Sequence, residues 1–269
     1  DIYIELTKIS TAITTQKKNN KELENMIGVI GGNGVAATNR LCQIIEKTIV
    51  DWGAFRDAHH PQMIIWQATQ VPSRSMYLEG RGESFIPGYI DVGKRLKACG
   101  CTELCMCCNT AHYAIKELEK QIGLPFINLL DEVAKECNEL GVRKIGMMCS
   151  DGLRKIRLYD KYFTKNNLNM QLIYPNDSIQ NLVTLGICNA KNSKRNNSNI
   201  DEYPQKLYTK VCDWFLEQGV DCIVSGCTDI NAVFHPTSWK GITYVDSLQL
   251  LADKIIYETG VKDKLNRIL

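Results

Sequence analysis

The most constraining feature of this chain is a regular alternation between short apolar runs and longer amphipathic stretches. Helical spacing is clear after residue 110, where Ala114, Ile115, Leu118 and Ile122 repeat every three or four positions. Strands that alternate with helices are typical of βαβ units built around parallel sheets, so the sequence predicts an α/β fold. Buried strands are predicted near residues 26–30, 63–66, 103–107, 125–127, 144–148 and 222–225, and helices near 36–49, 92–96, 111–121, 130–140 and 208–218.

Length and charge narrow the class of protein. The chain has 269 residues, which is enough for one substantial hydrophobic core or two modest ones. Its apolar fraction of 44% and its net charge of +2 are ordinary for a globular protein, and no basic stripe indicates nucleic-acid binding. Nothing approaches the roughly eighteen consecutive apolar residues of a membrane-spanning helix. We therefore expect neither a nucleic-acid partner nor a membrane partner.

Two polar segments lie outside the alternating pattern. Residues 1–25 contain several Lys and Asn and lack the apolar run of a signal peptide, so we expect a frayed N-terminal extension. Residues 189–201 are rich in Asn, Lys and Ser with almost no apolar side chain. That composition predicts an exposed, mobile loop.

Twelve cysteines are present, and a number this large needs an explanation. Disulfide-rich secreted proteins are mostly small domains without a sufficient core, whereas this chain is long enough to build one. Several of its cysteines lie inside apolar runs, where a thiol packs as a small hydrophobic side chain: Cys105, Cys107, Cys149 and Cys222. We expect most of the twelve to be packing residues in a protein of the reducing cytoplasm.

Two cysteines stand apart because each follows an apolar strand directly. One strand ends in Cys108-Asn109-Thr110 and another ends in Gly226-Cys227-Thr228, a coarse internal echo. Residues at the carboxyl ends of parallel strands lie on the ligand-binding edge of an α/β sheet. The small polar residues that follow favour the start of a helix, whose free N–H groups stabilise a thiolate or a carboxylate.

A pair of thiols placed in this way suits racemisation. The reaction needs a base on one face of a carbon and an acid on the other. A thiol whose ordinary pKa is about 8.5 can serve as either after a modest shift. The sequence therefore predicts Cys108 and Cys227 as two opposed acid/base groups.

Zinc binding or thiol redox chemistry is an alternative function for these cysteines. Cys105 and Cys108 have the C-x-x-C spacing that occurs in zinc sites and thiol redox proteins. Alternate side chains of a strand point to opposite faces, so these two thiols should face apart unless the turn begins early. The chain has only four His and no second C-x-x-C pair. We expect no metal site.

At these residues the sequence resembles the aspartate/glutamate racemase superfamily, and the aspartate racemase branch most closely. The resemblance rests on two cysteine segments, 108–113 and 226–230, supported by the glycine segment 27–32 and by residues 69–74. It implies two similar parallel-sheet subdomains related by a pseudo-twofold axis, with the active site between them. The first subdomain would comprise residues 26–128 together with 229–269, and the second would comprise 129–228. A homodimer and a reaction without a cofactor are also implied.

The resemblance assigns roles to individual positions. Cys108 and Cys227 match the two catalytic cysteines. Asn109, Thr110 and Thr228 match positions implied to bind the carboxylate and amino group of a small amino-acid substrate, and Arg74 and Lys191 match basic positions implied to bind acidic groups. Asn33 is also expected to contact the substrate, but it places a polar amide where the superfamily has an apolar contact.

The sequence departs from the superfamily pattern in one loop and at three single positions. Asn33-Gly34-Val35-Ala36 stands where Met-Gly-Pro-Glu is usual, Cys107 replaces a proline, Asp229 replaces a glutamate and Ser73 replaces an aspartate. None of these changes removes the thiol pair. The expected function is cofactor-independent racemisation of aspartate or glutamate. The alternatives are another racemase or isomerase of the superfamily, acting on hydantoins or unsaturated diacids, and a ligand-binding protein without activity.

Overall fold

The apolar runs form two separate sheets in the computed structural model, which describes residues 25–165, 170–192 and 202–268. The N-terminal extension, apart from Asn25, and most of the Asn-rich segment lie outside the described residues. The strands are β1 (Ile27–Gly31), β2 (Met63–Gln67), β3 (Glu103–Met106), β4 (Lys144–Cys149), β5 (Gln171–Ile173), β6 (Cys222–Gly226), β7 (Ser238–Trp239) and β8 (Ile242–Asp246). One sheet has the order β2-β1-β3 and the other has the order β5-β4-β6-β8-β7.

Both sheets share one strand order. The first strand of each lies between the second and the third, and all of these pairs are parallel. Beside β3, residues 125–127 extend the first sheet through hydrogen bonds from Leu104 N to Pro125 O (3.0 Å) and from Ile127 N to Leu104 O (2.9 Å). Strand β8 takes the corresponding place beside β6. The repeated order is the internal repetition expected of two similar α/β subdomains.

This topology corrects one boundary of the predicted subdomains. Residues 229–269 were expected to return to the first subdomain, but β8 pairs in parallel with β6 and β7 pairs antiparallel with β8, so both strands belong to the second sheet. The backbone N–H and C=O groups of β8 are thus paired within the second sheet, and β6 is hydrogen-bonded on both sides, as β3 is between β1 and residues 125–127. The helix after β8 does pack against a helix of the first half.

The helices cover both faces of each sheet, as parallel sheets require. They are α1 (Val35–Asp51), α2 (Arg74–Glu79), α3 (Ile86–Ala98), α4 (Ile115–Ile122), α5 (Leu129–Glu139), α6 (Asp151–Ile156), α7 (Leu158–Lys165), α8 (Asp177–Lys191), α9 (Glu202–Glu217), α10 (Thr228–Asn231), α11 (Ser247–Glu258) and α12 (Val261–Ile268), with 3₁₀ turns η1 (Asp57–His59) and η2 (Asn109–Ala114). Helix α11 packs against α1 and α5. The largest hydrophobic cluster includes residues of both sheets and of these three helices, and two further clusters cover the outer faces.

The cysteines are largely packing residues, as expected. All twelve are free thiols. Cys105, Cys107, Cys149 and Cys222 are fully buried, which confirms the prediction for the apolar runs. No helix among the described residues is long and apolar enough to cross a membrane.

Candidate active site

The two singled-out cysteines have equivalent backbone settings. Cys108 follows β3 after one residue and caps η2 with φ −160° and ψ 113°. Cys227 follows β6 directly and caps α10 with φ −144° and ψ 117°. Each is extended because it ends a strand, and the next residue begins a helical turn. The similarity of the two cysteine segments in sequence therefore corresponds to the same local structure, a strand that ends in a helical turn, at both sites.

One cavity of about 250 Å³ brings together every site residue predicted from the sequence. These are Asn33, Arg74, Cys108, Asn109, Thr110, Lys191, Cys227 and Thr228. They come from the loop after β1, the start of α2, the ends of β3 and β6, and the end of α8. Lys191 ends this helix, so the predicted loop begins later than residue 189.

The cavity has further lining residues that the sequence analysis did not assign to the site, although it named Ser73 and Asp229 as departures from the superfamily pattern. They are Ser73, Ser75, Met76, Glu79 and Arg81 around α2; Ser150 and Asp151 at the start of α6; Thr184, Ile187 and Cys188 on α8; and Asp229. Ser150 and Asp151 directly follow β4, so the rule that singled out the cysteines applies to them as well. The residues of α8 gave no such signal, because they belong to an ordinary amphipathic helix.

Helices α2 and α6 meet closely along one wall of the cavity. Gly152 N donates to Ser75 Oγ (2.8 Å), and Lys155 Nζ donates to Glu79 O at the end of α2 (2.6 Å). A Cβ atom on Gly152 would lie 2.6 Å from Ser75 O, so only glycine allows this approach. Residues from both halves of the chain thus enclose the cavity.

Cys227 lies in a setting that favours its protonated form. Burial and, to a smaller extent, the neighbouring charge of Asp229 raise the pKa of its thiol to about 12. Lys191 and the backbone N–H of Asp229 act in the opposite direction. Lys191 Nζ lies 3.0 Å from Asp229 Oδ2, so this ion pair stands beside the sulfur. At neutral pH Cys227 is therefore protonated, so its thiol can donate a proton.

Arg74 lies beside the other thiol. Its Nη2 donates to Asn33 O (2.9 Å), its Nη1 donates to Pro72 O (3.1 Å), and the guanidinium lies within hydrogen-bonding reach of the Cys108 side chain. Burial lowers the pKa of Arg74, but the neighbouring Cys108, Tyr89 and Asp229 raise it above its ordinary value. The cation therefore persists at all working pH values beside the Cys108 sulfur.

Several predicted substrate-binding side chains already have partners within the protein. Thr228 Oγ1 donates to Cys107 O (2.9 Å), and Thr110 Oγ1 lies 2.9 Å from Ser150 Oγ. Asn33 Nδ2 donates to Ile30 O (3.0 Å) and to Tyr89 OH (2.8 Å). These contacts hold the cavity walls in place.

The C-x-x-C spacing does not form a joint site. Cys105 packs in the central cluster with Cys107, whereas Cys108 packs with Leu104 and Met106 in the cluster on the other face of β3. The expectation that the two thiols face apart is confirmed. Among the described residues, no group of three or more His, Cys, Asp or Glu side chains is arranged to hold a metal ion.

His112 fixes the turn that follows Cys108. It is fully buried, its Nδ1–H donates to Cys108 O (2.9 Å) and its Nε2 accepts from Leu129 N (3.1 Å). Both contacts require the neutral ring, because a proton on Nε2 would remove the acceptor. Burial accordingly lowers the pKa of His112 to about 4.

We expect His112 to make stability fall in acid. The unfolded ring takes up its proton near pH 6.5 and the folded ring near pH 4, so the unfolded state binds more protons between these values. The free energy of unfolding should lose about 2–3 kcal/mol as the pH falls through this window. Urea unfolding at pH 7.5 to 4 measures this loss.

The control for this prediction is His112→Gln, which removes the titrating ring. The comparison is necessary because burial raises the pKa of Asp246 to about 6 and that of Glu103 to about 7, and both carboxyls act with the opposite sign. An equal pH dependence in the variant and the unchanged protein would contradict the assignment to His112.

Comparison with known proteins adds the decisive observation. The sequence model of the family described as Asp/Glu/hydantoin racemase matches residues 27–255, which is most of the chain. The chain belongs to this family. The resemblance seen in the cysteine segments is thereby confirmed, and the family's enzymes are amino-acid and hydantoin racemases by its description.

Individual relatives agree with this membership. The broad specificity amino-acid racemase RacX of Bacillus subtilis is 24% identical over 234 residues, which cover 86% of this chain and 96% of RacX. The aspartate racemase of Picrophilus torridus superposes with a TM-score of 0.75 at 21% identity, covering 88% of this chain and 94% of that one. A glutamate racemase from Francisella tularensis superposes with a TM-score of 0.58 at 14% identity, covering 90% and 83%. At these identities the superpositions show a shared fold.

Proposed function

We propose that this protein racemises aspartate or glutamate without a cofactor, with Cys108 and Cys227 as the two acid/base groups. One observation carries the proposal. Two thiols in equivalent helix-capping positions line a single cavity, one beside a buried guanidinium and the other held as a thiol. A protein that only binds a ligand has no need for this arrangement.

The thiols differ in the way that the first half-reaction requires. Burial keeps the proton on Cys227, and the Arg74 guanidinium lies beside Cys108. In the proposed first half-reaction Cys108, acting as a base in its thiolate form, removes the α-proton from one face of the substrate, and the Cys227 thiol donates its proton to the opposite face. The proton count is conserved and the two thiols exchange protonation states, so the opposite enantiomer reacts in reverse. Positioned acid–base catalysis of this kind contributes roughly 10²–10⁴-fold.

The charges of the cavity favour an acidic substrate. The three carboxylates that line the cavity have partners within the protein. Glu79 Oε2 lies 2.6 Å from Arg81 Nε, and Asp229 pairs with Lys191. Asp151 accepts a hydrogen bond from Thr184 Oγ1. Arg74 instead donates to two backbone carbonyls, which are neutral. Because the Arg74 guanidinium does not donate to a carboxylate of the protein in these bonds, it is the group best able to bind the side-chain carboxylate of the substrate.

The test is proton NMR in heavy water with separate L-amino acids, a hydantoin and an unsaturated diacid. We expect the α-proton signal of aspartate or glutamate to disappear while the opposite enantiomer accumulates. Exchange only with a hydantoin, or isomerisation only of a diacid, would assign the protein to the corresponding alternative enzyme of the family. Absence of any reaction with all of them would contradict catalysis. Cys99→Ala, at an exposed cysteine outside the cavity, is the matched control and should react normally.

Two further properties belong to this proposal. The family resemblance implies a homodimer, and the many free thiols are compatible with a reducing cytoplasm. Light scattering during size exclusion would test the first, since a mass near 30.4 kDa would indicate a monomer.

A further inference from the structure

A buried hydroxyl from a third segment of the chain joins the two loops that carry the cysteines, which the bond from Thr228 Oγ1 to Cys107 O also links directly. Ser247, the first residue of α11, has no exposed surface and does not line the cavity. Asn109 Nδ2 donates to Ser247 Oγ (3.0 Å), and Asn231 Nδ2 donates to the same oxygen (3.3 Å). Asn109 follows Cys108 directly, and Asn231 ends the short helix that Cys227 caps. The hydroxyl therefore connects the first sheet's cysteine loop with the second sheet's.

The rest of the network leaves neither amide free to reorient. Asn109 Oδ1 accepts from Tyr159 OH at 2.5 Å. Asn231 bonds with Ser225 through its oxygen and with Asp246 through its nitrogen. The carboxylate of Asp246 is held in turn by the backbone N–H groups that begin α11. Both asparagines are buried, so an amide that lost its partner here would gain no water in its place.

We infer that Ser247 is a positioning residue that sets the Cys108 and Cys227 loops relative to one another. The inference rests on the proposed function, because the spacing of two opposed acid/base groups across a substrate carbon decides the rate. It also changes the expected role of Asn109. Its side chain is engaged by Ser247 and Tyr159, so it holds the loop in place instead of binding the substrate.

The first test is the split between kcat and KM in Ser247→Ala. The variant leaves two buried amides with one partner fewer, so both loops relax while the cavity lining keeps its composition. We expect kcat to fall about 10- to 100-fold, since small misplacements of catalytic groups have effects of this size, with KM within about twofold. Ser247→Thr, which keeps the hydroxyl, should recover most of the rate. A kcat within about twofold of the unchanged protein would overturn the inference.

The matched control is Thr259→Val near the other end of the same helix. Thr259 is also buried, and its hydroxyl donates to the carbonyl of Ile255 (2.7 Å), away from the cysteine loops. Its kcat should be unchanged, even where its melting temperature falls as much as that of Ser247→Ala. Equal losses of kcat in both variants would show that any weakening of α11 slows the enzyme, and would overturn a specific role for Ser247.

A readout that needs no turnover separates this inference from the proposed function. The alkylation rates of Cys108 and Cys227 by iodoacetamide, resolved by mass spectrometry, report the setting of each thiol directly. Ser247→Ala should change both rates by about threefold or more, with Cys99 unaffected. Unchanged rates at both cysteines would overturn the inference. If the unchanged protein does not racemise any amino acid, the proposed function fails, and the alkylation rates alone decide the role of Ser247.

Discussion

Cys227→Ala should lose racemisation of both enantiomers, with kcat lower by about 10³-fold or more. Each turnover needs one base and one acid on opposite faces of the substrate carbon, so removing either group stops the full reaction in both directions. Chiral chromatography of the products, starting from each enantiomer separately, measures the loss. Cys108→Ala should behave in the same way.

The single-cysteine variants should differ from each other in hydrogen exchange. A protein with one remaining thiol can still remove an α-proton from the face that this thiol contacts and return a deuteron to the same face. In heavy water, Cys227→Ala and Cys108→Ala should therefore each exchange the α-proton of one enantiomer, and opposite enantiomers in the two variants. Full racemase activity in Cys227→Ala, with Cys99→Ala as the reference, would refute the two-thiol mechanism.

Arg74→Ala should lower kcat/KM for the acidic substrate by two to three decades. Loss of a buried charge partner typically costs about 2–5 kcal/mol, which is about 1.5 to 3.5 decades and includes this range. Weak turnover of a neutral amino acid should change much less, because it places no carboxylate at the guanidinium. The ratio of kcat/KM values for acidic and neutral substrates is the measurement. Arg74→Lys keeps the charge without the planar fork and should recover only part of the loss.

The position of Arg74 beside Cys108 allows a second outcome, which the same experiment distinguishes. If the guanidinium serves only the thiolate, Arg74→Ala will slow acidic and neutral substrates by equal factors and will slow the alkylation of Cys108. Equal losses would thus contradict selection of acidic substrates by Arg74. Arg95→Ala, on the exposed face of α3 where the guanidinium pairs with Asp91 outside the cavity, is the control for removing an arginine.

Much of this architecture could be predicted from the sequence. The apolar runs at residues 27–31 and 222–226 are strands because they are short, apolar and bounded by glycine or polar residues, and these properties are local. The cysteines at the strand ends needed no tertiary information, since the edge of a parallel sheet follows from strand direction. Every residue expected at the site lines one cavity. Arg74 and Lys191, which lie on helices, were expected there only from the family resemblance.

The assignments that failed or were missed depend on distant partners. Residues 242–246 pair with β6, and the sequence pattern within residues 242–246 does not indicate which strand is their partner. The side-chain hydrogen bond of Asn109 could not be predicted either, because its partner Ser247 lies 138 positions further along the chain.

By itself, then, the sequence determined the α/β class, the cysteine-bearing strand ends and the family, because strand length, helical spacing and short motifs are properties of neighbouring residues. Tertiary structure alone decided which sheet receives β8, which hydroxyl joins the two cysteine loops and which thiol keeps its proton. Burial against Asp229 raises the pKa of Cys227 to about 12. Burial, charge proximity and hydrogen-bond partners are set by segments far apart in the chain, so they exist only once the two sheets have packed around one core.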